Sequence, residues 1–570
     1  MNKLLFLLIF LLSVQIKAQE NNTSNKSLSY PDLIEEYKKL DKQFDQAFLI
    51  PYGKTDCGEP LQLFVISGTS VFQPQRLHEL NKCVLFINNG IHPGEPDGMD
   101  ASLRFAKDLL MNPKNNKILE DVVVCILPAF NIDGALNRNS FSRANQDGPK
   151  EYGFRANARN LDLNRDFIKT DAANTKSLKV ILQQWNPDVF VDTHVSDGAD
   201  YQYTLTLIST QHNKLNPIMG KYLHDSFTPS LFHSMKEKGD EMSPYVSTLF
   251  EEGIPDSGIV AFLETPRFIT GYTALYNCFS FTTETHMLKP FPDREKSTYR
   301  FLNCIFSYCH DKKNDILKAR KDAFEYDLKM TKYPFNWEVD LSQKESIDFK
   351  GYESAYIKSN VTSGLRLKYN HDKPFTKKIS YYNEYIARDT FQIPKYFYIP
   401  QAWSNIVRML DANGVKAIPI LKDSIYELTT IFIVDFKSVD SPYEGHYLHH
   451  STTTQSKIEN VPIKKGDYLI ETNQSAIRLI LETLIPTSVD SYFNWGFFDS
   501  ILQQKEWFSS YVFEDIAEKL LKEDSSLNIS FEEWKKNNSK EDEFSQLYFI
   551  YSHSKYFESS YRRYPVRLLY

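Results

Sequence analysis

The sequence predicts an α/β protein: a mixed, mostly parallel sheet flanked by helices, then a β-rich module and an aromatic-rich α+β C-terminal part. Three observations carry this. Val84–Ile87 and Val122–Leu127 are unbroken apolar runs, as in strands buried on both faces. Between them, Asp97–Leu110 sets Leu103, Ala106 and Leu110, with Phe105 and Leu109, on one face at helical spacing. From about residue 330 this βαβ rhythm stops and short strand-like runs replace it.

Taken in order, Leu33–Phe48 reads as a helix and Leu61–Ile66 as a strand. After the first βαβ unit come a helix at Lys176–Trp185 and a strand at Val189–Asp192. Ile259–Leu263 and Phe279–Thr283 are further strands. Beyond, Tyr356–Asn360, Leu365–Tyr369 and Lys395–Ile399 read as short strands. Gln401–Asn413 reads as a helix stopped by Asn413-Gly414, and Phe513–Lys522 as another helix. The division expected is a catalytic-looking domain at 29–325, a β-rich module at 326–440 and an aromatic-rich part at 441–570.

Composition narrows the classes. With 42% hydrophobic and 24% charged residues the chain is globular, which excludes global disorder. Lys+Arg number 66 against 73 Asp+Glu, and no basic block occurs, so a nucleic-acid partner has no support. Aromatics reach 14% and glycines only 21, which excludes collagen-like and low-complexity classes.

The first residues read as an export signal. Lys3 is the positive start, Leu4–Leu12 is an unbroken apolar run, and Ala18 offers a small residue for cleavage. Residues 1–18 are therefore expected to be removed on export to the periplasm or medium, and 19–28 to form a polar disordered tail. No later run is long and apolar enough for a transmembrane helix, so the mature protein is expected to be soluble. Six cysteines could oxidise in such a compartment. Cys83 and Cys125, however, sit in apolar strand runs and read as buried free thiols.

The polar residues at the strand ends carry the chemistry. NNGIHPGEPDG places His92 and Glu95 three apart just past a strand, where open α/β sheets gather ligands. A neutral imidazole and a carboxylate at that spacing can share one zinc ion, although H-x-x-E alone also fits a capped surface loop. His194, in NPDVFVDTHVSDG, closes another apolar strand. Two histidines and one glutamate leave a fourth position open for water, which is the donor set of a catalytic zinc site. In FRANARNLDLNRDF, Asn164 and its neighbouring arginines suit a substrate carboxylate. Glu284, in FTTETH, could act as general base, and Glu264 competes for that role.

The ordered set H-x-x-E, N-x-D-G, R…D-L-N-R-D-F, D-x-H and a strand-borne Glu resembles the zinc carboxypeptidases of peptidase family M14 over roughly residues 30–325. The whole chain looks like a long exported bacterial type with C-terminal accessory modules. The resemblance implies one zinc ion per chain, held by His92, Glu95 and His194, with Asp162 orienting the first histidine. It implies that Asn164 and Arg165 grip the free C-terminal carboxylate of a peptide substrate. Arg155, with Arg159 as fallback, would stabilise the oxyanion, and Glu284 would be the base. Tyr272, with Tyr276 close behind, is the candidate for a tyrosine that closes over substrate. The expected activity is removal of C-terminal residues. Relatives on the same fold that act on murein peptides or N-acyl amino acids give a second reading. A zinc-less peptide- or glycan-binding protein gives a third.

Overall fold

A computed structural model describes residues 25–249 and 253–570. The expected export signal at 1–18 lies outside the described residues. Among the described residues no helix is long and apolar enough to cross a membrane.

The core is an eight-stranded sheet. Its strands are β1 (Ala47–Tyr52), β2 (Leu61–Ile66), β3 (Cys83–Asn88), β4 (Val122–Leu127), β5 (Val189–Ser196), β6 (Leu205–Ser209), β7 (Ser243–Pro244) and, after β8 (Ser247–Thr248) and β9 (Ile259–Val260) of another sheet, β10 (Phe279–His286). The spatial order is β1-β2-β4-β3-β5-β10-β6-β7. β3 runs parallel to β4 and β5, and β5 parallel to β10. β1, β2 and β6 join antiparallel. Every residue of β3, β4 and β5 is buried, which is why those runs are continuous rather than alternating. Helices Asp97–Met111 and Phe291–Asp311 pack on each other and on this central sheet, and helix Ala173–Trp185 packs on β1 and β2. The expected mixed, mostly parallel architecture is present.

Several boundaries differ from expectation. The first helix is Tyr30–Gln43, capped by Ser29 and burying Leu33, Tyr37 and Leu40. It ends early because Ala47–Tyr52 is recruited as a strand along Ile66–Leu61. Ile259–Leu263 contributes only the two residues of β9, and these leave the main sheet. Of the expected disordered tail, Ser27 and Leu28 are tied down: Leu28 N–H donates to Asp100, and the Arg138 guanidinium donates to both carbonyls.

The domain division also needs correction. The first compact unit runs through Pro394 and takes in Asn405–Ala417 and Glu471–Ser491. After β11 (Lys332–Val339) comes a long hairpin, β12 (Glu345–Lys358) and β13 (Leu365–Tyr382), and then β14 (Tyr385–Gln392). The expected strands at 356–360 and 365–369 are parts of this hairpin. Tyr381 and Tyr382 pair with Ile259 and Val260, so the hairpin completes a sheet begun inside the catalytic segment. Phe349 and Ile379 share a hydrophobic core with Tyr201, Tyr203 and Ile259. Local composition could not show this, because the pairing partners lie over a hundred residues away in sequence.

The second unit comprises Lys395–Ser404, Ile418–Ile470 and Tyr492–Tyr570. It holds a long hairpin, Ser424–Ser438 with His449–Ile463, and three helices packed around Phe513, Phe531 and Tyr551. The aromatic excess of this part is therefore largely core. Cys83 and Cys125 are free and buried, as expected.

Asp100, on helix Asp97–Met111, yields a stability prediction. Burial pushes its pKa up to about 8, against the Leu28 N–H bond and with the Glu295 and Asp97 carboxylates adding to the rise. Its Oδ2 has no hydrogen-bond partner among the described residues. The folded state therefore holds a proton that the unfolded state releases near pH 4. Stability attributable to Asp100 is full below that pH and is lost as pH rises to about 8, by at most about 1.4 kcal/mol per unit. Asp100→Asn should flatten this part of the profile. Denaturant unfolding of both proteins at pH 5 and pH 8 checks it; parallel profiles would refute it.

Candidate metal centre

The centre forms where the parallel strands end. β3 stops at Asn88, and the chain turns through Gly90 (φ +61°) to His92 before helix Asp97–Met111 begins. Glu95 N–H donates to the His92 carbonyl, which fixes the turn that brings both side chains inward. The helix starts hard against β5: a Cβ on Gly98 would fall 1.9 Å from Thr193 Oγ1. His194 lies on β5, and Glu284 is its register partner on β10. Three consecutive neighbours in the sheet, β3, β5 and β10, thus supply the site.

The two imidazoles are held alike. His92 Nε2 lies 3.0 Å from Asp162 Oδ1, and His194 Nε2 lies 2.7 Å from Asp192 Oδ2. Each Nδ1 is left facing Glu95, at 3.4 Å for His92 and 3.1 Å for His194. One donor atom from each of His92, Glu95 and His194 lies within 4.8 Å of the others, and all three residues are buried. Among the described residues no other His/Cys/Asp/Glu group of this kind occurs. A carboxylate on the outer nitrogen fixes each ring's orientation and leaves Nδ1 as the ligand atom, the arrangement a zinc ligand needs. The residues present therefore fit zinc.

Electrostatics agree. Burial would raise the Glu95 pKa, but Arg143, His92 and His194 hold it well below the usual carboxylate range. Burial would lower that of His194, but Asp192, Glu95 and Glu284 hold it well above the usual imidazole value. Asp162 is likewise held low against burial by His92, Arg155 and Arg165.

The segment 155–165 wraps this cluster. Arg155 donates from Nε and Nη2 to Asp162 Oδ2, and its Nη1 lies 3.3 Å from His92 Nδ1. Asn164 Oδ1 accepts from Ile269 N–H, leaving its amide hydrogens without a partner among the described residues. Arg165 stacks on Phe268, 4.4 Å from the ring centre.

Residues 34–202 match the family model of the zinc carboxypeptidases, peptidase family M14. This part of the chain is similar to the zinc carboxypeptidases. Similar proteins include carboxypeptidase 2 of Trichophyton tonsurans, 22% identical over 479 residues covering 81% of this chain and 80% of that one. Carboxypeptidase 2 of Trichophyton equinum is 23% identical over 456 residues, 77% of each chain. Among solved structures, a metallo-carboxypeptidase from Burkholderia cenocepacia covers 48% of this chain and 66% of its own, at 16% identity and a TM-score of 0.36. The matched stretch holds all three zinc-ligand candidates together with Arg155, Asp162, Asn164 and Arg165, but not Glu284.

The two candidate bases differ sharply in surroundings. Glu264 is buried, accepts from Gln211 N–H, and lies 3.1 Å from Lys214 Nζ. Glu284 keeps partial exposure, and its carboxyl makes no hydrogen bond or ion pair among the described residues. Burial pushes Glu284 up to about 8, opposed by His194 and reinforced by Glu95, Asp192 and Asp197. A cation among the three ligands would act in the opposite direction.

The structure does not support Tyr272 as the tyrosine of a zinc carboxypeptidase cleft. It is fully buried, its hydroxyl donates to Asn413 Oδ1 at 2.9 Å, and its ring faces Phe167 and Lys179. Tyr276 bonds the Asn413 carbonyl and is equally engaged. Tyr245 was missed by sequence reasoning. Burial, then the charge of Glu284, raises its pKa, and its ring continues an edge-on aromatic row through Phe262 and Phe268 to Arg165. Asp192 and Arg143 were also missed. Asp192 was legible as the first residue of D-x-H, two before His194 on the same strand face. Arg143 had no such signal.

Tyr272→Phe removes one buried hydrogen bond. It should cost about 1 kcal/mol in unfolding free energy and leave kcat and KM for a peptide unchanged within twofold. A tenfold fall in kcat/KM would restore Tyr272 to the site.

Proposed function

We propose that the chain is an exported zinc carboxypeptidase that removes C-terminal residues from peptides, with Glu284 as general base. The unpartnered Glu284 carboxyl beside His194 carries this reading. Glu264 is closed off from solvent, with Oε1 held by Gln211 N–H and Lys214, and is poorly placed to exchange protons. Glu284, on the adjacent strand, exposed to the cleft and unbonded, is well placed to do so. The apolar run Leu4–Leu12 followed by Ala18 supports export.

Zinc, held by His92, Glu95 and His194, supplies Lewis acidity toward the scissile carbonyl and the attacking water. The chain's own residues supply the rest. Arg165, pre-oriented by Phe268, and the free Asn164 amide bind the terminal carboxylate and set the cleavage position at the last residue. Arg155, close to His92 and Glu95, offers a guanidinium for charge that develops on the carbonyl oxygen. Glu284 takes a proton from the attacking water and returns it to the departing amine. Asp162 and Asp192 hold the imidazoles throughout.

Glu284→Gln should lower kcat by a factor of about 10² to 10⁴ while leaving zinc content at one per chain. Glu264→Gln should keep most activity and lose stability instead. The reverse pattern would transfer the base role to Glu264. With peptides, amidating the C-terminus should reduce kcat/KM by about 10² or more, because charge-assisted bonds to Arg165 and Asn164 are lost. Equal cleavage of acid and amide would remove the carboxylate-binding assignment.

A further inference from the structure

We propose that Arg143 is a positioning residue for the metal centre. It braces the Glu95 carboxylate and thereby sets how tightly the protein holds zinc. The proposal rests on His92, Glu95 and His194 being the zinc ligands.

The geometry converges on one guanidinium. Arg143 Nη1 donates to Glu95 Oε1 at 2.9 Å. Its Nη2 reaches the carbonyl of Val195, the residue after His194, at 3.5 Å. Its Nε donates to Gln146 Oε1 at 2.6 Å, and Gln146 Nε2 donates in turn to the carbonyl of Gly94, next to Glu95. Arg143 and Gln146 together therefore tie the ligand carboxylate, the backbone beside it and the backbone beside the second histidine.

The loop is built to hold that side chain. Asn139 and Tyr152 pair across its neck, and the Tyr152 hydroxyl accepts from Arg143 N–H. Gly153 N–H donates to the Pro93 carbonyl, which pins the loop to the ligand turn itself. The Arg143 stem passes so close to Gly94 that a Cβ there would fall 2.7 Å from Arg143 Cδ. The other Glu95 oxygen, Oε2, accepts from Val195 N–H at 3.0 Å, so both ends of the carboxylate are fixed. Arg155 does not duplicate this role: it lies 3.6 Å from Oε1, and its hydrogen bonds to a carboxylate go to Asp162.

Two physical effects oppose each other. A cation next to a ligand repels the metal, whereas a rigid partner pre-orients the ligand and spares the metal that ordering. The ion pair is a single charge-assisted bond to a buried carboxylate, with the other guanidinium donors anchored on Val195 and Gln146, and partners that orient ligands are commonly worth 10- to 100-fold in metal affinity. Orientation is therefore expected to win.

The test uses the full mature chain stripped of metal. Zinc affinity is measured by competition with a chromogenic chelator, with no assay of activity. Arg143→Met should weaken zinc binding by about 10- to 100-fold. Arg143→Lys should recover part of the loss. Gln146→Ala, which keeps the guanidinium but frees it, should fall between. Unfolding temperatures of the metal-free forms separate this from general damage, and Gln146→Ala carries the test if Arg143→Met fails to fold. Zinc binding within threefold of wild type in the Met and Ala variants, or tighter binding, overturns the proposal. Wild-type protein that binds no zinc refutes the ligand assignment itself.

Discussion

Asp162 and Asp192 each accept a hydrogen bond from the outer nitrogen of a buried imidazole, and the strand-end chemistry is arranged around those two bonds. They decide which nitrogen of each ring faces inward. They also impose a burden, because carboxylates withdrawn from water need compensating charge. Arg155 answers for Asp162, and the second imidazole answers for Asp192. The pairing of β3, β5 and β10 keeps these partners in register, since a one-residue slip would turn His194 or Glu284 to the opposite face of the sheet.

What was legible in the sequence follows from that arrangement. His92 and Glu95 share one turn, and Asp162, Asn164 and Arg165 lie within four residues. Their relative placement is local, and spacing encodes it. The buried strands could be read because a doubly covered strand must be apolar throughout. Tyr272 failed for the complementary reason. Its position depends on Asn413, whose return to the catalytic unit no local pattern announces. The boundary at 325 failed similarly, since β13 pairs with β9 across more than a hundred residues. What separates Glu264 from Glu284 is their surroundings, Lys214 and Gln211 for one and no hydrogen-bond partner among the described residues for the other, and no local sequence pattern encodes that.

The hairpin β12–β13 shows how a segment outside the family-matched stretch supports it. Gln202 donates to the carbonyls of Gly351 and Phe375, and Tyr203 exchanges bonds with Asp348 and Lys350. Tyr201, stacked on His286, is thereby held from both sides. These contacts anchor the chain within ten residues of His194 and two residues beyond Glu284. Loops that carry chemistry are usually positioned by a rigid frame. Here part of that frame comes from residues that a reading in chain order assigns to another module.

The charge balance of the centre completes the argument. Glu95, Asp162, Asp192 and Glu284 converge on two arginines and two imidazoles. Asp192, Glu95 and Glu284 together hold His194 well above the usual imidazole value against the effect of burial. Proton and zinc compete for the same lone pair on Nδ1. A zinc ion held there would meet three donors at once, and its field would favour the ionised form of Glu284 against the burial that pushes its pKa up to about 8. On the proposed assignment, the ion that would polarise the substrate would also favour the ionised base. Such an ion would let a partly exposed carboxylate with no hydrogen-bond partner among the described residues persist beside the three ligand candidates.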